Sequence, residues 1–308
     1  MIAFVFPGQG AQRVGMGREL YEAVSACKAV FDAANEALGF DIAALCFQGP
    51  QDELTLTSNA QPAILTTSIA CLRALQEAAP DLPPPAYVAG HSVGEYSALV
   101  CAEALDLPEA VRLVRKRGEF MAEAKEGTMA AVLGLAPDKV AEACDAASEV
   151  GVVVPANIND PGQVVISGEG DAVKRACERA RELGAKRAVP LRVSGAFHSP
   201  LMAAAGEKLA AELRWAGIGD PRIPVVANAD AEPKTDAEAV RAALLAQVTS
   251  SVLWQQSVER IARAGVETFV EIGPGTVLSG MVRRIAANAS VLHVEDPVSL
   301  EETVRALS

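Results

Sequence analysis

Histidine is scarce in this chain: three occur in 308 residues, at positions 91, 198 and 293. A hydroxyl nucleophile at neutral pH usually relies on an imidazole base, so each candidate can be weighed singly. No run of eighteen apolar residues occurs, which excludes a membrane-spanning helix. The start, Met1 followed by Ile2 to Phe6, lacks the basic lead and small-residue cleavage site of a secretory signal, so a cytoplasmic protein is expected. The six cysteines are widely spaced with no Cys-x-x-Cys pair, which argues for buried free thiols over a zinc or redox site. Positive charge is also short. The net charge of -12 argues against nucleic acid as a partner, and an acidic protein partner would need a local basic patch. Repeats and low-complexity tracts are absent.

What is present begins with Gly90-His91-Ser92-Val93-Gly94, a Gly-x-Ser-x-Gly pattern. Ala86 to Ala89 reads as a short buried strand before it, and Tyr96 to Ala102 as an apolar helix after it. This is the context of a serine on a sharp strand-to-helix turn, where the helix N-terminus favours developing negative charge. A plain tight turn is the competing reading. For the base, His91 adjoins the serine and should point away from it. His293 lies in a strand-like segment with no motif. His198 lies in Ser194 to Pro200, where one structural unit rejoins another, a common place for a cleft wall. It is the expected base, against a capping or core histidine. No Asp or Glu presents itself as its orienting group, so a backbone carbonyl or an amide is expected there.

The segment Glu109 to Met121 reads as a helix. Arg112, Arg115, Lys116 and Glu119 share one face, an ordinary solvated one. Arg117 is flanked at three and four residues either side by Leu113, Val114, Phe120 and Met121, so its guanidinium should point inward. A buried guanidinium needs an anionic partner. That partner is either an internal carboxylate such as Glu95 or a substrate carboxylate held by two hydrogen bonds.

The order of elements predicts an α/β body. Strands are expected at Ile2 to Phe6, before Ser92, at Pro224 to Asn228, at Thr268 to Ile272 and in Ser290 to Val294. Alanine-rich helices, broken by Gly39, by Gln48-Gly49-Pro50 and by Asn59 to Pro62, fill the region up to about residue 80. From Thr128 the pattern becomes β-α-β-β-α-β, ending with the strand Lys186 to Val193, the order of a ferredoxin-like unit. The expected division is a large body of residues 1–127 and 196–308 with a small insert of residues 128–195.

Several motifs, in order along nearly the whole chain, resemble malonyl-CoA:acyl carrier protein transacylases. They are Phe6-Pro7-Gly8-Gln9-Gly10, Gly90 to Glu95, Arg117-Gly118, Asn157-x-Asn159 with Pro161-Gly162-Gln163, Ala196-Phe197-His198-Ser199, and Glu271-x-Gly273-Pro274-Gly275. The resemblance implies an α/β-hydrolase-like body with a parallel sheet, carrying a ferredoxin-like insert. It implies Ser92 as nucleophile, His198 as base and Arg117 as the clamp for a malonyl carboxylate. It places Gln9 and Val93 backbone N–H groups in the oxyanion hole and Gln247 beside the histidine as its orienting residue. It implies ping-pong transfer from malonyl-CoA to acyl carrier protein in fatty acid biosynthesis, with no bound cofactor, no metal and a monomeric enzyme. Val93 and Phe197 resemble the malonyl-selective pattern of related polyketide acyltransferase domains. Arg112, Arg115, Lys116, Lys186, Arg187, Arg283 and Arg284 are candidates for a basic docking rim. Two rival readings share the serine chemistry: a trans-acting acyltransferase that loads polyketide synthase carriers, and a serine hydrolase of α/β type. A non-catalytic module using Phe6 to Gln12 as an anion nest is a third.

Overall fold

The computed structural model describes residues 1–307. Its strands are β1 (Ile2–Phe6), β2 (Tyr87–Gly90), β3 (Thr128–Leu133), β4 (Val153–Asp160), β5 (Gln163–Gly168), β6 (Arg187–Pro190), β7 (Val225–Val226), β8 (Pro233–Lys234), β9 (Thr268–Ile272) and β10 (Ser290–Val294). Six of them form one sheet in the order β10-β9-β1-β2-β7-β8. All pairings are parallel except the last, β7 with β8.

A parallel sheet must be covered on both faces, and the alternation along β1 does this. Phe4 and Phe6 enter one core, with Ile64, Leu65 and Tyr96 from neighbouring helices. Ala3 and Val5 enter another, against Trp254, Val258 and Ile261. One strand alone precedes β2, as the sequence pattern indicated.

The second sheet has the antiparallel order β4-β5-β3-β6. Helices Pro137–Ala147 and Gly170–Glu182 cover one face, with Ala130, Val132, Val164, Ile166, Val173 and Ala176 between. The alternate residues Met129 and Val165 join the core of the larger sheet instead, so the small sheet is sandwiched between its own helices and the body. Further ties run to the segment after residue 250. Val252 N–H donates to Ala156 O at 2.8 Å, and Ile158 N–H to Val252 O at 2.9 Å. The buried Asp160 pairs with Arg284 at 2.8 Å.

Two strands are shorter than the sequence reading, β6 ending at Pro190 and not Val193 and β7 covering only Val225–Val226, and one expected helix break is absent. Asn59 to Pro62 does not break the chain; a 22-residue helix, Thr57–Ala78, runs through it. Proline lacks the N–H that would bond to Ser58 O. Arg115 takes that place, donating to Ser58 O at 3.0 Å and to Asn59 Oδ1 at 2.5 Å. Arg115 is therefore not part of a solvated face. Its guanidinium also meets Glu119 and stacks over Phe40.

Candidate active site

Gly90 ends β2 and Gly94 begins the helix Gly94–Cys101. A side chain on Gly90 would overlap the backbone of Gly94, and one on Gly94 would overlap the carbonyl of Phe6. The two glycines thus let the turn fold tightly against β1. Ser92, at its apex, has φ of 51°, a left-handed conformation that costs a non-glycine residue free energy. Asn228, just past β7, braces the turn from the other side. Its Oδ1 accepts from Ser92 N–H at 2.7 Å, and its Nδ2 donates to Gly90 O at 2.7 Å.

His198 is also left-handed, with φ of 57°. Its Nε2 lies 2.8 Å from Ser92 Oγ and its Nδ1 lies 2.9 Å from the backbone carbonyl of Gln247. A carbonyl can only accept, so Nδ1 carries the proton and Nε2 is left to accept from the serine hydroxyl. No carboxylate completes this arrangement. Burial, and then the positive charge of Arg117, lowers the pKa of His198 to about 3. The ring is therefore neutral at physiological pH, the form that accepts a proton.

His91 turns away from the serine. Its Nε2 meets Asn159 Oδ1 at 2.9 Å, and its ring packs on Trp254. This gives Asn159 a physical role that its sequence motif alone did not reveal. His293, on β10, is paired through the sheet with Glu271 and lies away from these residues.

Arg117 is buried to 1% exposure. Nη1 donates to Gln61 Oε1 at 2.7 Å; Nη2 donates to Gln247 Oε1 at 3.0 Å and to Ser92 Oγ at 3.1 Å. Nε is buried without a partner. Among the described residues no carboxylate forms an ion pair with it. Glu95 stands one residue removed: its Oε2 accepts from Gln247 Nε2 at 2.8 Å and from Asn228 N–H at 2.9 Å. Burial pushes the Glu95 carboxyl up to about 7. The internal-partner alternative for Arg117 thus gives way to an interposed amide.

A cleft of about 280 Å³ opens onto Ser92 and His198. Gln9, Met121, Met129, Asn157, Arg192 and Phe197 are among its lining residues. Gln9 follows β1, and its side chain reaches Thr57 Oγ1 at 3.2 Å. Val93 is buried at the head of the helix Gly94–Cys101. Backbone N–H groups of Gln9 and Val93 donate to no acceptor among the described residues. Two free donors flanking a serine next to a neutral imidazole can support attack on a carbonyl and stabilise the resulting oxyanion.

Sequence reasoning missed Gln61 and Asn228 as parts of this site. Gln61 was hidden by the apparent helix break at Pro62. Asn228 stands at the end of an expected strand, where a polar residue could have been a signal.

The fold and this site define an acyltransferase, and the chain belongs to the acyl transferase domain family, whose model matches residues 3–300. It is 48% identical to the malonyl CoA-acyl carrier protein transacylase of Bacillus subtilis, over 99% of this chain and 97% of the relative. With the protein of that name from Escherichia coli the identity is 46%, over 97% of each. Among solved structures, the acyl-carrier-protein S-malonyltransferase of Burkholderia pseudomallei superposes with a TM-score of 0.96 at 46% identity, over 99% of both chains. A malonyl-transacylase solved in complex with its type II PKS acyl-carrier protein gives a TM-score of 0.95 at 43% identity, also over 99% of both.

Proposed function

We propose that this chain transfers malonyl from malonyl-CoA to the phosphopantetheine thiol of acyl carrier protein, through an ester on Ser92, in fatty acid biosynthesis. The observation that carries the proposal is one hydroxyl held between a neutral imidazole and a buried guanidinium with no carboxylate of its own.

Ser92 Oγ attacks the thioester carbonyl as its proton passes to His198 Nε2. The carbonyl oxygen takes up negative charge and meets the N–H groups of Gln9 and Val93, where one such donor is worth about 3 kcal/mol. The intermediate collapses, and the CoA sulfur leaves with the proton held by His198. In the second half the carrier thiol gives its proton to His198, its sulfur attacks the Ser92 ester, and the serine hydroxyl is restored. The Gln247 carbonyl holds the imidazole in the required tautomer throughout. Neither half changes an oxidation state, so the reaction calls for no redox cofactor.

Arg117 supplies the choice of acyl group. Nε and Nη2 lie on one edge of the guanidinium. Nε has no partner, and one Nη2 hydrogen meets Ser92 Oγ in the unloaded site. A carboxylate one methylene beyond the Ser92 ester can take both donors as a fork. Acetyl would leave the fork unfilled and the charge buried. Phe197 on the cleft wall crowds a 2-methyl branch, which favours malonyl over methylmalonyl.

In this reading the cleft lies between a body of residues 1–127 and 196–308 and an insert of 128–195, in a monomeric, cytoplasmic enzyme. The acidic carrier docks on a basic rim. Arg115, Arg112, Lys116 and Arg284 are engaged within the chain by Glu109, Glu119 and Asp160. Lys186 and Arg187 are exposed at the start of β6, after which the chain continues into the cleft lining at Leu191 to Val193, and are the stronger candidates.

Intact-mass analysis after mixing with malonyl-CoA tests the proposal. One malonyl increment is expected on the wild type and none on Ser92→Ala, with the increment discharged by carrier protein. No adduct, or discharge to water faster than to carrier thiol, overturns it; the latter result would favour the hydrolase reading.

A further inference from the structure

Arg117 is useful as a clamp only if its fork faces the acyl group, and a guanidinium inside a protein can turn about its last bonds unless its other donors are fixed. Gln61 fixes one end. The other end depends on Gln247, whose carboxamide can present either its oxygen or its nitrogen. Only the oxygen suits Arg117, which has donors alone. Three acceptors decide the matter on the far side of the amide. Gln247 Nε2 lies 2.8 Å from Glu95 Oε2, 3.0 Å from Ser92 O and 3.3 Å from Asn228 Oδ1. Ser92 O is a main-chain carbonyl whose place is set by the serine turn, and Asn228 Oδ1, which already accepts from Ser92 N–H, makes the longest of the three contacts. Glu95 makes the shortest contact, and its Oε2 is fixed as an acceptor by the Asn228 N–H that it also takes at 2.9 Å.

We infer that Glu95, acting through the Gln247 carboxamide, is a positioning residue that aims the Arg117 fork and thereby sets the preference for acyl groups bearing a carboxylate. This rests on the clamp role given to Arg117 above. The interposed amide also explains why Glu95 does not ion-pair with Arg117 directly. Direct pairing would fill the fork and make the substrate carboxylate compete with an internal one. A neutral amide passes on the orientation and leaves the fork free.

The test compares acylation of Ser92 by malonyl-CoA and by acetyl-CoA, read as the ratio of kcat/KM values. Glu95→Met removes the nearest of the three acceptors and should lower the malonyl-to-acetyl ratio about tenfold, chiefly through a higher KM for malonyl-CoA. Glu95→Gln keeps an acceptor oxygen and should retain most of the ratio. Gln247→Met cuts the relay at its middle while keeping the carbonyl that holds His198, and should reproduce the loss even if Glu95→Met does not fold. In an Arg117→Ala background, Glu95→Met should change the ratio no further, since both act through one guanidinium.

Equal losses with both donors would mean that Glu95 only braces the serine turn through Asn228, and would overturn the inference. So would an unchanged ratio in Gln247→Met. If Arg117→Ala itself leaves the ratio intact, the clamp reading fails first. If Arg117→Ala collapses the ratio while the relay variants do not, the relay alone fails.

Discussion

His198, the proposed base, is oriented by a backbone carbonyl and has no acidic partner among the described residues. In an exposed setting its pKa would sit near 6.5, and much of it would be protonated below neutrality. Burial and Arg117 depress it to about 3, so the proton-accepting form persists into acid. The sign for stability follows from linkage. A base depressed by folding contributes nothing to lose above pH 6.5, and destabilises the fold as pH falls from 6.5 towards 3, where only the unfolded chain takes the proton. NMR titration of the imidazole protons, assigned with His198→Gln, should show no midpoint near 6.5 for this ring. In Arg117→Ala the midpoint should rise while staying below the ordinary value, because burial remains. A wild-type midpoint near 6.5 would mean that burial and Arg117 do not depress this ring.

At the scale of elements, the helix Thr57–Ala78 illustrates a repair across space. Pro62 leaves Ser58 O without its helical donor, and Arg115 from the helix Leu107–Glu123 supplies one. The repair matters for the site because Gln61, next to the proline, holds Arg117. Arg115→Met strands a partly buried carbonyl and loses the Asn59 and Phe40 contacts, so it should cost about 1–2 kcal/mol. Denaturant unfolding checks this as a lower midpoint at unchanged slope. A midpoint equal to wild type would mean that water replaces the guanidinium at no cost.

At the scale of the molecule, a net charge of -12 bears on the proposed docking of an acidic carrier. Long-range repulsion slows encounter unless the approach face is locally positive. Lys186→Glu with Arg187→Glu should raise KM for carrier protein several-fold at low salt, leave acylation by malonyl-CoA within about twofold, and lose most of its effect above roughly 0.5 M salt, where screening is strong. Steady-state kinetics with each substrate varied in turn separates these. An unchanged KM for carrier would move the docking face elsewhere.

The sequence by itself determined the strand-turn-helix around Ser92, because two glycines and an apolar strand make that turn locally. It also determined the inward aim of Arg117, which helical spacing alone dictates, and the β-α-β-β-α-β order of the second sheet, which turn residues punctuate. Only the tertiary structure decided what those groups meet. The contact between Ser92 and His198 spans 106 residues, and that between Arg117 and Gln247 spans 130. Periodicity carries no information over such separations. The helix through Pro62 was illegible for the same reason: local propensity predicts a break, and the donor that heals it comes from more than fifty residues away. Glu95 is the clearest case. In the sequence it is one carboxylate beside a serine motif; in the fold an amide from another helix stands between it and the arginine, and that interposition leaves the positive charge free to meet a carboxylate from outside.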